Sequence, residues 1–192
     1  NVNSLNTEKL LKNVQRIENN VDRLNHLINN ILMIGKLDSD KIPFDPKPLN
    51  VSQYIIDSIL PDFESRNQQI LISVEEQEKE VSLDPRLFSH IVTNLLENAI
   101  KYSSASKLPE IKLRYHADRV EIRVIDYGIG IPKEDIPKLF DTFFRASNVD
   151  NIQGTGLGLS IVNQFVKIHN GTIKVESEVG KGSSFIVYFP YT

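Results

Sequence analysis

Three short stretches of this sequence combine residue types and spacings that could handle a polyphosphate and the metal ion that accompanies it. In Asn94-Leu-Leu-Glu97-Asn98-Ala-Ile-Lys101-Tyr102, two neutral amides stand four residues apart and a cation follows three later. On a helix, the 3.6-residue period brings His90, Asn94, Glu97, Asn98 and Lys101 within about 100° of one another. Amide oxygens placed this way suit a hard cation, and the ammonium suits the phosphates that such a cation bridges. The second stretch is Asp126-Tyr-Gly128-Ile-Gly130, where a carboxylate can accept a hydrogen bond and glycines let the backbone approach a planar ligand. The third, Gly154-Thr155-Gly156-Leu157-Gly158-Leu-Ser160, runs into a helical pattern, so its amides and the positive helix end could hold phosphate oxygens. Its third glycine comes too early for the dinucleotide fingerprint, and it lacks the Gly-Lys-Ser/Thr ending of a P-loop. Each stretch alone has an ordinary explanation: a solvated helix face, a turn after an aspartate, a flexible loop.

The elements that must position these residues can be read from periodicity. A helix starts just after Asp84-Pro85, where the carboxylate caps and proline is tolerated in the first turn. It runs to Ser103, with Phe88, Val92, Leu95 and Ala99 opposite the polar face. Glu110 to His116 and Arg119 to Asp126 alternate and are separated by Ala117 and Asp118, a β-hairpin. A helix over Leu159 to His169 and strands over Thr172 to Ser177 and Ser183 to Phe189 follow. Upstream lie a helix over Ser52 to Arg66 and strands over Gln69 to Val74 and Val81 to Leu83. The irregular stretch from Tyr127 to Leu157 is long for a compact domain, and its glycines mark it as a functional lid. The fold class is α+β, a two-layer sandwich with a mixed or largely antiparallel sheet and helices on one face.

The first 37 residues differ. Leu10, Val14, Ile17, Val21, Leu24, Ile28 and Ile31 alternate steps of four and three, the heptad period of a helix that packs on other helices. Pro43, Pro46 and Pro48 then break the pattern. The expected organisation is a bundle-forming helix at 1–37, a linker at 38–50 and a larger domain at 51–192.

The 192 residues are 40% hydrophobic and 24% charged, with a net charge of -3, which speaks against nucleic acid, whose binders cluster Lys and Arg against phosphates. With no cysteine, disulfides and thiolate metal sites are excluded. No run reaches the ~20 apolar residues of a membrane span, so no membrane contact is expected of these residues, and the expected location is cytoplasmic.

Taken in order, the three stretches, together with Phe140-Asp-Thr-Phe143-Phe144-Arg145, resemble the N, G1, F and G2 boxes of the sensor histidine kinases, members of the Bergerat-fold ATP-binding superfamily. The likeness extends to the ending Val175-Glu-Ser-Glu-Val-Gly-Lys-Gly182-Ser-Ser-Phe185. The heptad helix is similar to the second helix of that family's dimerization and phosphoacceptor hairpin. The resemblance implies Mg-ATP as the bound species. Asn98 would be the Mg²⁺ ligand with Asn94 in support, Lys101 would contact the phosphates and Tyr102 would stack near the adenine. Asp126 would accept the adenine amino group in a pocket shaped by Gly128 and Gly130. Arg145 would meet the γ-phosphate, and Gly154, Thr155, Gly156, Leu157 and Gly158 would form the ATP lid. Phe140, Phe143 and Phe144, which read as the core of a short helix, would pack the base of that lid.

The family's partners would be a second copy, joined through the bundle helix, and the receiver domain of a response regulator. Its phosphoacceptor histidine has no counterpart here; the resemblance places it before Asn1. His26 reads as a solvated outer-face residue, His90 as a neighbour of the pocket held by a local hydrogen bond, His116 as inert, and His169 as a helix C-terminal cap. The alternatives are an ATPase or serine kinase of the same superfamily, or a dimerising scaffold without transfer. ATPases of the superfamily carry a glutamate where Asn94 stands, and an amide cannot act as a base.

Overall fold

The computed structural model describes residues 10, 13, 14, 17, 21, 24, 28, 32, 33, 35 and 42–191, apart from 76–78, 104–106, 150, 151 and 153. The chain divides into two compact units, Asn1–Ile42 and Pro43–Thr192. In the first, Leu10, Val14, Ile17, Val21, Leu24 and Ile28 are helical and stand 44–63% exposed. The described positions of the heptad seam are therefore exposed. Ile31 and His26 lie outside the described residues.

In the second unit the proline-rich segment does more than link. β1 (Lys47–Asn50) pairs antiparallel with β3 (Glu80–Leu83), with Pro48 opposite Ser82. Proline is admissible there because this two-stranded sheet offers an edge that needs no donor from it. Asn50 ends the strand and caps the next helix, its Oδ1 accepting the Gln53 N–H at 3.0 Å. That helix comprises α1 (Val51–Tyr54), a π-helical turn (Ile55–Ile59) and α2 (Leu60–Ser65). Pro61 supplies the reason for the wide turn: it has no N–H and its ring crowds the preceding carbonyls. The Leu60 N–H accordingly reaches back to Ile55.

The main sheet has the order β2-β4-β5-β7-β6, built from β2 (Leu71–Glu75), β4 (Glu110–Tyr115), β5 (Arg119–Asp126), β6 (Thr172–Glu178) and β7 (Gly182–Pro190). Only β2–β4 is parallel. One face carries α3 (Pro85–Tyr102) and α4 (Gly158–Ile168). α3 contributes Phe88, Val92, Leu95 and Ala99 to the core, and the sheet contributes Ile111, Leu113, Ile122 and Val124, all buried. Each such side chain contributes roughly 1.5–3 kcal/mol through burial. The other face is polar: Arg123 reaches Glu176 at 2.7 Å and Glu121 at 3.3 Å. This is the two-layer sandwich expected from the alternating and helical periods.

A buried carboxylate fastens several elements together. Asp84 caps α3, accepting from the N–H groups of Arg86 at 3.0 Å and Leu87 at 3.3 Å, while its other oxygen accepts the Asp45 N–H at 2.9 Å. Its own N–H donates to Nε2 of His169, 85 residues away and fully buried. The Nδ1–H of that ring donates to the Phe165 carbonyl at 2.7 Å, so His169 does serve as a C-terminal cap, of α4.

Candidate functional site

The burial of Leu95, Leu96 and Ala99 fixes the rotation of α3 and turns Asn94, Glu97 and Asn98 to a half-buried position, with Lys101 exposed at the last turn. Asn94 Nδ2 donates to the His90 carbonyl at 2.9 Å. This fixes its oxygen, which lies 2.8 Å from where a Cβ on Gly158 would stand, at the start of α4. Lys101 Nζ donates to the Tyr102 hydroxyl at 2.9 Å and lies 4.5 Å from that ring's centroid. Tyr102 is thus already engaged by a cation, which holds its ring beside the Lys101 ammonium. Glu97 points to Arg66, 3.9 Å away.

Asp126 ends β5 and is buried. Its Oδ1 accepts the Gly128 N–H at 3.0 Å. Burial raises its pKa, and hydrogen bonds from Gly128 N–H and from the Ser183 hydroxyl and amide oppose that rise. Gly128 and Gly130 are needed first of all by the protein's own backbone. A Cβ on Gly128 would stand 1.7 Å from the Tyr102 carbonyl oxygen, and one on Gly130, whose φ is +65°, 2.1 Å from that of Glu178. Close approach thus welds the turn after β5 to the end of α3 and to β6.

The lid is tied down at its start. Asp135 accepts the amide and the hydroxyl of Ser147, both at 2.8 Å, and these bonds lower its pKa. Asn148 Nδ2 donates to the Gly130 carbonyl at 2.9 Å. Arg145 Nη2 donates to the carbonyls of Val149 at 2.8 Å and Ile152 at 2.6 Å. The aromatic box does not form a helical core: Phe143 is 68% exposed with a φ of +66°. Leu139, Ala146 and Val149 are the buried residues of this segment. Phe143 takes the left-handed conformation because its N–H donates to the Gly156 carbonyl at 2.9 Å, and Gly156, at φ +72°, presses on the Phe143–Phe144 backbone.

The stretches meet at Gly154. A Cβ there would stand 2.9 Å from Lys101 Nζ, 3.7 Å from the Tyr102 hydroxyl and 4.0 Å from Arg145 Nε. Thr155 Oγ1 accepts the Leu157 N–H at 3.2 Å. Leu157 is fully buried, so its side chain serves the core and only its backbone borders the lid. Of the histidines, His90 is exposed, its ring 6.0 Å from that of Phe165. His116 pairs with Glu121 at 3.4 Å at the end of the hairpin. Sequence reasoning missed Ser183, Ser177, Asp135 and Asn148. Pairing registers and loop closures place them at the site, and neither has a periodic signal.

Among the described residues no group of three or more His, Cys, Asp or Glu could hold a metal. An amide such as that of the half-buried Asn98 could share a hard cation with ligand phosphates without an all-protein cage. A buried acceptor, a row of amides, two cations and a glycine lid on a two-layer sandwich define an ATP-binding domain.

Residues 83–192 match the family of histidine kinase-, DNA gyrase B-, and HSP90-like ATPases, and the chain belongs to it. Its kinship within that family is with sensor histidine kinases. It is 35% identical over 201 residues to sensor histidine kinase RcsC of Salmonella typhimurium, covering 99% of this chain and 21% of that protein. It is 30% identical over 181 residues to sensor histidine kinase WalK of Bacillus subtilis, covering 91% of this chain and 30% of that protein. The chain therefore spans about a fifth to a third of these curated relatives. The solved histidine kinase AdeS of Acinetobacter baumannii superposes with a TM-score of 0.73 over 91% of this chain and 81% of that one, at 23% identity, a likeness of fold. No helix among the described residues is long and apolar enough to cross a membrane.

Proposed function

We propose that this chain is the ATP-binding part of a protein-histidine kinase in a two-component system, transferring the ATP γ-phosphoryl group to a histidine outside these residues. The reading rests on one observation: the backbone of Gly154 lies against Lys101, Tyr102 and Arg145 together, so lid, helix and F-box cation share one small space. Two cations and a set of lid amides in that space suit a triphosphate, and phosphoryl transfer depends mainly on positioning and charge neutralisation.

Asp126 accepts the adenine amino group, and Tyr102 lies along the base. Asn98 would contribute the protein's oxygen ligand to Mg²⁺, which when bound would neutralise the phosphates, and Asn94 would support it. Lys101 holds the phosphates. Arg145 leaves the Val149 and Ile152 carbonyls to meet the γ-phosphate as charge develops on it. Gly128 and Gly130 shape the base pocket, and Gly154, Thr155, Gly156, Leu157 and Gly158 close over the nucleotide. The reaction breaks the bond from Pγ to the ADP oxygen and forms one to an imidazole nitrogen, whose proton is released.

The exposed heptad positions support a homodimer built through the first unit; a response-regulator receiver as the next acceptor and the cytoplasm as the compartment belong to the proposed kinase class. Asn94, in place of a water-activating glutamate, supports a kinase over an ATPase.

The test is a calorimetric titration with a non-hydrolysable ATP analogue, with and without Mg²⁺, on the wild type and Asp126→Ala. Losing a hydrogen bond to a charged acceptor should weaken binding about 10- to 150-fold. Equal affinity in both proteins would overturn the assignment of Asp126. A histidine-bearing acceptor helix added with ATP should then become phosphorylated.

A further inference from the structure

β2 is an outer strand of the main sheet, and among the described residues β4 is its only neighbour there. The pairing decides which of its backbone groups are left over. The Leu71 N–H donates to the Pro109 carbonyl at 2.9 Å, and Leu71 is the register partner of Glu110. In a parallel pair a residue placed in this way turns both backbone groups to its neighbour, and the next residue turns both away. Ile72 and Val74 therefore direct their N–H and C=O groups to the open side. Natural sheet edges are blunted by proline, lysine, bulges or inward charges. Leu71-Ile-Ser-Val-Glu75 contains neither proline nor lysine and pairs with β4 in unbroken register.

The apolar surface beside this edge is open as well. Leu71, Val74 and Leu108 stand 38–51% exposed. Between α2 and the start of β2 lies a groove of about 210 Å³, floored by the buried Leu60 and Phe63 and walled by Ile70, Leu71 and Leu108. Pockets for drug-sized ligands begin at roughly 300 Å³, so this one suits an aliphatic side chain better than a small molecule. A strand edge next to such a groove is what an extended peptide can satisfy at once: its main chain pairs with the edge and one side chain fills the groove.

Charge narrows the partner. Glu64 lines the groove and Asp62 is exposed on the same helix, while Arg66, just beyond them, lies toward Glu97 at 3.9 Å. Glu75, at the far end of β2, is offset by Arg114. The groove end of the edge is therefore negative.

We propose that the β2 edge docks an extended basic segment of a partner protein. That segment adds a strand to the sheet, sets one aliphatic side chain in the groove and brings a lysine or arginine to Asp62 and Glu64. No residue assigned to the nucleotide lies on α2 or β2, so this surface and the ATP site stand or fall separately.

The probe is an end-blocked peptide, Lys-Leu-Lys-Val-Lys-Leu-Lys, titrated into the whole chain, with the same peptide carrying glutamate for every lysine as control. The basic peptide should bind saturably and slow hydrogen exchange at the Ile72 and Val74 amides, the donors that an added strand engages. Val74→Pro removes an N–H that the sheet itself does not use and should weaken the peptide about tenfold or more. Val74→Lys charges the edge without altering its backbone and should act in the same direction, which keeps the test sound if the proline variant does not fold. Glu64→Lys should cost about threefold. All three variants should bind the ATP analogue as the wild type does. Equal binding of the acidic peptide, binding unmoved by the Val74 variants, or no saturation by about 1 mM peptide overturns the proposal. So does protection of the two amides in the chain alone that disappears on dilution, since a second copy would then fill the edge.

Discussion

Replacing Asp84 with alanine should weaken the fold by an amount that can be worked out from its contacts. The carboxylate is fully buried. One oxygen caps α3 through the Arg86 and Leu87 amides, and losing such a cap costs about 1 kcal/mol. The other accepts the part-buried Asp45 amide, and an orphaned donor costs about 1–3 kcal/mol, with partial burial favouring the low end. The Arg86 guanidinium is 62% exposed and rehydrates without comparable loss. The expected destabilisation is about 2–3 kcal/mol, or about 4–12 °C in Tm for a domain of this size. Asp84→Asn retains one carbonyl acceptor for the cap and should lose about half as much. Guanidinium denaturation of the variants gives the energies, and hydrogen exchange over residues 43–50 shows whether the segment before β1 loosens with them. Burial alone would raise the Asp84 pKa, yet its hydrogen bonds lower it overall. Its stabilisation is therefore present above the unfolded value of about 3.9 and is lost as pH falls through the lower folded value. An alanine variant within about 0.5 kcal/mol of wild type, with unchanged exchange, would refute the idea that this carboxylate fastens the elements together.

The His169 pKa is lowered by burial, despite opposing contributions from the Phe165 carbonyl and Asp84. The unfolded chain therefore binds the extra proton first, and stability should fall as pH drops from about 6.5 toward the folded value. Urea midpoints for wild type and His169→Gln should show this slope only in the wild type. Gly180→Ala meets open space at φ +80° and should cost about 1–2 kcal/mol in thermal melts through its left-handed conformation alone. Gly182→Ala, whose Cβ would stand 2.1 Å from the Asp126 carbonyl oxygen, should cost several times that and impair nucleotide binding. Arg145→Ala should reduce transfer to an added acceptor and speed exchange of the lid amides over residues 145–152, because the guanidinium holds two lid carbonyls.

What could be read in the sequence was what repeats. The polar and apolar faces of α3 follow from a 3.6-residue period, and the β4–β5 hairpin from alternation around Ala117 and Asp118. Both lie within a turn of their expected bounds. β1 was hidden among prolines, since strand propensity is poor there and only its partner β3 makes the pairing possible. The π-helical turn before Pro61 has no periodic signature. The Asp84–His169 contact joins residues 85 apart, which no local pattern records. Phe143 read as core because phenylalanine usually is, but its backbone is committed to Gly156 and its ring is left outside.

The glycines show how far a motif and its physical cause can diverge. Gly128 and Gly130 look like ligand-facing residues because they follow a carboxylate, yet the nearest atoms to their missing side chains are backbone oxygens of Tyr102 and Glu178. Gly182 meets the Asp126 carbonyl in the same way. These contacts hold the end of α3, the end of β5 and the turn between β6 and β7 at backbone distance, and Asp126 and Tyr102 lie on two of those three segments. An added methyl would separate Asp126 from Tyr102 without touching a ligand. Gly154 differs: its neighbours are the flexible ends of Lys101, Tyr102 and Arg145, which can withdraw. The first group therefore sets the geometry of the site and the second permits its closing, a division that equal spacing of glycines in a sequence cannot express.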